Sequence, residues 1–95
     1  MPDYRIFETD EFRKQLANLS ARDAHFIRNK LDGYVCPQLR REPFFGANIR
    51  KLRDCSPDVW RYRIGRFRMF YTANDEEHIV YLLTIDLRRD AYRRR

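Results

Sequence analysis

Cysteine and histidine are scarce in this sequence, and the few that occur are scattered. The two cysteines, Cys36 and Cys55, do not form a Cys-x-x-Cys pair, and the two histidines, His25 and His78, are distant from each other and from both thiols. Metal sites of the zinc type need closely spaced ligands in recognisable pairs. We therefore expect no metal site and no cofactor, and we expect both thiols to be free in a reducing compartment.

A long apolar segment is also missing. The longest uncharged apolar run extends from Ile79 to Ile85, well short of the ~20 residues that span a bilayer. The first residues, Met-Pro-Asp-Tyr-Arg, are not followed by the apolar stretch of a signal peptide. The chain has no repeat and no linker, and its 95 residues suffice for one small core. These features predict a single cytoplasmic domain over residues 1–95, with no membrane partner.

Lysine is rare although the chain is basic. The formal net charge is +6, yet only Lys14, Lys30 and Lys51 are lysines among the 20 basic residues. Arginine is favoured where a planar fork grips phosphate or carboxylate, or stacks on a base. From Ile49 onward there are 12 basic and 7 acidic residues, so +5 of the +6 charge lies in the second half. A merely solvated basic surface does not explain that asymmetry, which instead indicates an anionic partner for the second half.

The first half carries helical patterns. A short strand is predicted over residues 4–7, and Thr9 or Asp10 can supply the N-cap of a first helix. Ser20 and Asp23 resemble a shortened capping box for a second helix. Gly33 and Pro37 predict its end, and residues 37–48 are predicted to form a loop. The apolar residues that we expect to face the core are Phe12, Leu16, Leu19, Ala24, Ile27, Leu31 and Tyr34.

After residue 48 the pattern becomes that of β-strands. Residues 49–53, 59–64, 67–72 and 78–85 are rich in β-branched and aromatic side chains, and turn residues separate them. The resulting order is β-α-α-β-β-β-β. It predicts an α+β fold in which two N-terminal helices pack on one face of a mainly antiparallel sheet of four to five strands.

The pair Gly65-Arg66 fits a two-residue type II′ hairpin turn, because glycine comes first. This turn sets the strand register and places Arg63 opposite Arg68. Since alternate residues share a face, one side should carry Arg61, Arg63, Arg68 and Phe70. The other side should face the helices and carry Trp60, Tyr62, Ile64, Phe67, Met69 and Tyr71.

Two arginines facing each other across strands repel, which is unfavourable in an isolated fold. The arrangement is understandable if a polyanion lies between Arg63 and Arg68, although Asp86 or Asp90 is an alternative partner for the pair. The last strand runs back toward Arg68, and in the tail that follows Tyr92 stands among arginines. An aromatic ring among arginines is typical of single-stranded RNA binding. His78 would lie roughly 20 Å away, at the other end of the last strand.

Residues 51–52, 60–71, 85 and 88–93 resemble the RelE/ParE superfamily of type II toxins, and the resemblance extends over nearly the whole chain. RelE-like members are metal-independent, ribosome-dependent mRNA endoribonucleases that inhibit translation. ParE-like members instead poison DNA gyrase without cleaving nucleic acid. Members of both kinds are held inactive by a cognate antitoxin, so the resemblance implies a toxin–antitoxin hetero-oligomer.

By matching position, the resemblance implies a set of functional residues. The catalytic candidates are Arg61, Arg63, Arg68, Arg88 and Tyr92, with Arg89 as an alternative to Arg88. Further RNA contacts are expected from Lys51, Arg66, Arg89 and Arg93. RelE has lysines at the positions of Arg61 and Arg63, and arginine cannot act as a base at neutral pH.

Three functions stay open on the sequence. The leading one is an mRNA endoribonuclease that acts on the ribosome. The second is a ParE-like gyrase poison, and the third is a catalytically inactive domain that represses together with its antitoxin. Because opposite charge steers association, we expect the antitoxin to supply an acidic amphipathic helix that binds the basic half or displaces the C-terminal tail.

Overall fold

A computed structural model describes residues 3–87 of the chain. It contains a five-stranded sheet in the order β1-β5-β4-β3-β2, in which β1 is parallel to β5 and the other pairs are antiparallel. The elements are β1 (Arg5–Glu8), α1 (Asp10–Ala17), α2 (Ala21–Lys30), a π-helical turn (Leu31–Val35), α3 (Cys36–Arg41), β2 (Ile49–Lys51), β3 (Trp60–Ile64), β4 (Phe67–Asn74) and β5 (Ile79–Leu87). The predicted α+β fold, with helices on a mainly antiparallel sheet, is confirmed. The site candidates Arg88, Arg89, Tyr92 and Arg93 lie outside the described residues.

Both predicted helix starts are present. The Thr9 hydroxyl accepts a hydrogen bond from the backbone N–H of Phe12 at 3.2 Å, and the Ser20 hydroxyl accepts one from Asp23 at 3.1 Å. Each hydroxyl satisfies one of the N–H groups that the first turn of a helix leaves without a partner. Thr9, rather than Asp10, is therefore the N-cap of α1.

The predicted end of the second helix was wrong. The chain stays helical from α2 through the π-helical turn to Arg41, so the predicted loop over residues 37–48 begins only after α3. The Cys36 N–H reaches back five residues to the Leu31 carbonyl, which widens the turn. Pro37 then falls in the first turn of α3, where proline's missing N–H is tolerated.

The extra residue in the wide turn also changes which side chains face the core. The buried stripe continues at a spacing of four, through Ile27, Leu31, Val35 and Leu39. Tyr34 lies off this stripe and is 60% exposed, so its prediction as a core residue was wrong.

The core lies between the helices and one face of the sheet, and the predicted β3–β4 register is confirmed pair by pair. On that face Tyr62, Ile64, Phe67, Met69 and Tyr71 are all at most 3% exposed, and Trp60 packs beside them partly buried. The two tyrosine hydroxyls are satisfied there, since Tyr71 donates to the Pro43 carbonyl at 2.7 Å and Tyr62 donates to Gln38 Oε1. The arginines of the same strands therefore point away from the helices.

The β3–β4 turn has the expected geometry. Gly65 has a φ of +57°, whereas the φ of Arg66 is not positive. This combination is the type II′ pattern. A Cβ at position 65 would also come within 3.1 Å of the Phe26 ring. The backbone conformation thus favours glycine at this position, and a Cβ would in addition require the Phe26 ring to shift slightly.

A bulge in β5 decides which residues of its second half face outward. Phe70 pairs with Thr84 while Tyr71 pairs with Leu82, so Leu83 is an extra residue. Because of it, Leu82 and Ile85 both face the core. Without it, the strict alternation of a strand would turn Asp86 inward.

Helix α1 and its cap hold this part of β5. The Thr9 hydroxyl donates to the Leu82 carbonyl at 2.8 Å and also lies 3.2 Å from the Leu83 carbonyl. On α1, Gln15 Oε1 accepts a hydrogen bond from the Ile85 N–H at 2.8 Å. These contacts hold β5 at the bulge and just beyond it.

Candidate nucleic-acid interface

The face of the sheet that the helices leave open carries a group of arginines on three adjacent strands. Arg63 is the register partner of Arg68, and Arg61 is the register partner of Arg50 on β2. Register partners in an antiparallel pair project on the same side of a sheet. We call Arg50, Arg61, Arg63 and Arg68 the arginine face.

The arginine face is strongly positive. Its described acidic neighbour is Asp86, the register partner of Arg68, which is one of the two acids anticipated from the sequence. Arg50 and Arg63 are exposed and form no ion pair within residues 3–87. Within residues 3–87, the strand register places one carboxylate, that of Asp86, beside these four guanidinium groups, and an excess of positive charge favours a polyanion over a neutral surface.

Two members of the arginine face are held more firmly than the other two. Arg61 and Arg68 are half-buried, and the Nε atoms of both are buried. The Arg68 guanidinium lies 5.6 Å from the centroid of the Phe70 ring, within the range of a cation–π contact. These contacts restrict the side chains before any ligand arrives, which lowers the entropy that binding must remove.

The structure separates two predicted RNA contacts from this group. Lys51 pairs with Trp60, so it projects on the helix side, where its Nζ lies 3.3 Å from Asp58 Oδ2. Arg66 lies in the hairpin turn, 3.5 Å from Asp23 Oδ1. Of the predicted residues that the structure describes, Arg61, Arg63 and Arg68 are brought together, and Lys51 and Arg66 are not.

Arg50 is a member of the face that the sequence reasoning missed. The segment between β2 and β3 has no short turn of fixed geometry. The sequence therefore does not determine which residue of β2 pairs with which residue of β3. A shift of one residue exchanges the faces of Arg50 and Lys51. The observed pairing of Arg50 with Arg61 could have been found only from the structure.

The histidines lie away from the arginine face. His25 is exposed on α2, with its Nε2 3.1 Å from Asn29 Nδ2. His78 precedes β5 at the end opposite to Asp86, and its ring stacks on Tyr4 at 4.6 Å between centroids. Within residues 3–87 no group of three or more His, Cys, Asp and Glu side chains is placed to hold a metal ion.

Phosphate binding is the chemistry that the arginine face serves best. Guanidinium groups bind phosphate oxygens through paired N–H donors and remain charged at every physiological pH. Placed side by side on a sheet, they can contact consecutive phosphates or one phosphate from several directions.

In the part of the chain that the structure describes, no helix is both long and apolar enough to cross a membrane.

Fold and site together define a small α+β domain with a basic open sheet face, and comparison with known proteins gives its family. A family model described as the ParE toxin of type II toxin–antitoxin systems, parDE, matches residues 6–92. The chain therefore belongs to this family, within the RelE/ParE superfamily of type II toxins. A search of curated proteins finds no match.

Solved structures of the superfamily share the fold. The RelBE2 toxin–antitoxin complex from Mycobacterium tuberculosis includes a chain with 27% identity and a TM-score of 0.71, and the match covers 90% of this chain and 99% of that one. The intact RelBE complex of E. coli gives 21% identity, a TM-score of 0.65 and coverage of 88% and 95%. The YoeB/ParE toxin from Agrobacterium tumefaciens gives 17% identity, a TM-score of 0.66 and coverage of 87% and 97%.

Proposed function

We propose that this toxin binds mRNA on its arginine face and cleaves it on the ribosome, thereby inhibiting translation. The observation that carries the proposal is the grouping of Arg61, Arg63 and Arg68 on the open side of the sheet. Protein-binding surfaces are more often apolar at their centre and depleted of charge there. A cluster of guanidinium groups fits a phosphate backbone better.

The proposed reaction needs no group beyond the RNA and the protein. The 2′-hydroxyl of a nucleotide attacks the adjacent phosphorus, the bond to the 5′ oxygen breaks, and a cyclic phosphate and a free 5′-hydroxyl result. The 2′-hydroxyl proton passes to solvent water and the 5′ oxygen takes a proton from it, so that no proton is gained or lost overall. Arg61, Arg63 and Arg68 hold the phosphate and stabilise its developing charge, and removal of one such donor typically costs about 10²- to 10³-fold in rate. We expect Tyr92 to stack on a base or to take part in the proton transfer.

A cognate antitoxin is the second partner that we propose. The relatives from M. tuberculosis and E. coli were solved as toxin–antitoxin complexes. The +5 charge of residues 49–95 would attract an acidic antitoxin segment, since opposite charge steers association. We propose that this segment is an amphipathic helix in a toxin–antitoxin hetero-oligomer.

The alternative is a toxin that binds DNA gyrase without cleaving nucleic acid. It is favoured by one observation, the match to a family model that is named for ParE. In that case the arginine face would serve a protein or a protein–DNA complex.

Primer extension on a reporter mRNA, after brief induction of the toxin in cells, separates the two functions. The proposal predicts cuts within translated codons and none after induction of Arg63→Ala. Supercoiling by purified gyrase, assayed in parallel, should be unaffected by the toxin. An uncut mRNA together with inhibited supercoiling would contradict the proposal and support the gyrase alternative.

A further inference from the structure

Beyond the arginines, the open face of the sheet carries three aromatic side chains, one on each of three adjacent strands. Phe70 lies on β4 between Arg61 and Thr84, its register partners on either side. Tyr81 lies on β5, where its β4 partner is Thr72, two residues beyond Phe70. On its other side Tyr81 pairs with Phe7 on β1, and the centroids of these two rings are 5.7 Å apart. We call Phe70, Tyr81 and Phe7 the aromatic strip.

Packing within residues 3–87 does not explain the aromatic strip. Phe7 is 54% exposed on an edge strand, and Phe70 and Tyr81 are only partly buried. The core lies on the other face of these strands. The solvent side of an antiparallel sheet usually carries polar residues, and adjacent exposed rings usually mark a binding surface.

An arginine lies at each end of the strip. At one end the Arg68 guanidinium contacts the Phe70 ring at 5.6 Å. At the other end Arg5 lies on the same side of β1 as Phe7, because it is two residues away, and it is exposed with no ion pair within residues 3–87. The β4–β5 turn beyond this end carries the acids Asp75, Glu76 and Glu77. The Glu77 Oε1 accepts from the Tyr81 hydroxyl at 3.2 Å, and the Asp75 Oδ1 accepts from the Tyr4 hydroxyl.

We propose that the aromatic strip is a base-stacking subsite for single-stranded RNA whose phosphates are held by the arginine face. This inference rests on the proposed function and specifies how the substrate lies on the sheet. An unpaired strand combines flat bases with an anionic backbone, and aromatic rings bordered by arginines match both features. The strand would cross the sheet from β3 toward β1, as bases do on other aromatic sheet faces that bind RNA.

The combination of aromatic rings and arginines favours RNA as the occupant of this surface. An amphipathic helix binds through a row of apolar anchors inserted into a groove. The strip instead presents rings from the surface of a sheet, in line with the arginines rather than between two helices. Thr84, beside Phe70, adds a hydroxyl that can contact a base edge or a 2′-hydroxyl.

The subsite is tested by binding of the full-length toxin to a fluorescent single-stranded oligoribonucleotide of about eight nucleotides, with 2′-O-methyl groups that prevent cleavage. The variants are Phe7→Leu, Phe70→Leu and Tyr81→Leu, which retain apolar volume but remove the stacking surface. Phe45→Leu is the matched control, because Phe45 is 75% exposed in the segment between α3 and β2. Thermal melting of each variant verifies that it is folded.

Each strip variant should weaken binding by roughly 5- to 100-fold, the range of one lost stacking contact. Phe45→Leu should bind like the wild type, and Tyr81→Phe should as well, because it keeps the ring. With an oligonucleotide that has the same backbone but abasic positions, the wild type should bind no better than the strip variants. These three results together support the subsite.

Other results overturn it, and they separate it from the function on which it rests. If Arg63→Ala loses affinity while the strip variants match Phe45→Leu, the subsite is wrong and RNA binding by the arginine face stands. If the wild type does not bind the oligonucleotide at all, the subsite is wrong, and cuts in the primer-extension assay decide separately whether the proposed function stands. If the strip variants retain RNA affinity but lose binding to an acidic amphipathic peptide, the strip belongs to a protein partner.

Discussion

The two faces of β3 and β4 are built from alternating residues, yet they follow opposite rules. Tyr62 and Met69 on the inner face are at most 1% exposed and pack against the helices. One residue along each strand, Arg63 and Arg68 face each other on the open side. Burying a large apolar side chain contributes about 1.5–3 kcal/mol, whereas like charges opposite each other destabilise a sheet. The inner face therefore provides the stability that allows the outer face to be unfavourable for folding.

The largest expected effect is on the inner face. Phe67 is 1% exposed in the core, and Phe67→Ala should lower the free energy of unfolding by about 3–5 kcal/mol, because it leaves a cavity. Urea denaturation measures this change. Exposed Phe45→Ala, at a position that contributes no core packing, is the control. A loss below about 1 kcal/mol, the range of ordinary surface substitutions, would mean that the two faces do not differ as described.

The next effect concerns Thr9, which connects the two faces through the β5 bulge. Its hydroxyl caps α1 and donates to the Leu82 carbonyl, so Thr9→Val should cost about 1–2 kcal/mol of stability. Release of the bulge should also disturb the position of Asp86 opposite Arg68, and RNA cleavage should fall. Thr9→Ser keeps the hydroxyl and should restore both properties. Full cleavage by Thr9→Val would show that the bulge has no part in the site.

A smaller effect is expected from Tyr71 at alkaline pH. Burial raises the pKa of Tyr71 above its usual value of 10.0, and the nearby Tyr62 and Glu42 raise it further. The folded protein therefore holds a proton that the unfolded chain releases, and stability should fall as the pH rises above about 10. Tyr71→Phe removes this contribution, at a cost of about 1 kcal/mol at neutral pH for the lost hydrogen bond to Pro43. Urea denaturation at a series of pH values should show a shallower alkaline decline in the variant; an equal decline would contradict the assignment.

The sequence predicts the two faces well because a short turn joins β3 to β4. A two-residue turn with a leading glycine allows one register, and the alternation of strands then assigns every side chain to a face. The first strand, both helix starts and the position of the last strand were also predictable, since each depends on a local pattern.

The remaining features depend on tertiary structure. Gly33 and Pro37 by themselves indicate the end of a helix. The π-helical turn forms there nevertheless, because core packing continues the buried stripe from Leu31 to Leu39. The bulge at Leu83 is held by Thr9 from a distant part of the chain. Phe70 was assigned to the open face from the sequence, but the placement of Tyr81 and Phe7 on the same face required the strand pairings of β5 with β4 and β1.

The central claim is that the arginine face acts on a ligand and does not stabilise the fold, and Arg63→Ala tests it most directly. Growth arrest on induction and thermal melting are measured for the same variant, with Arg22→Ala, an exposed arginine on α2, as a control of equal charge. Arg63→Ala should abolish toxicity and melt at the wild-type temperature or slightly above it, because removing the facing charge relieves a repulsion of about a few tenths of a kcal/mol. Arg22→Ala should remain toxic. A melting temperature many degrees lower in Arg63→Ala, or undiminished toxicity, would contradict the account.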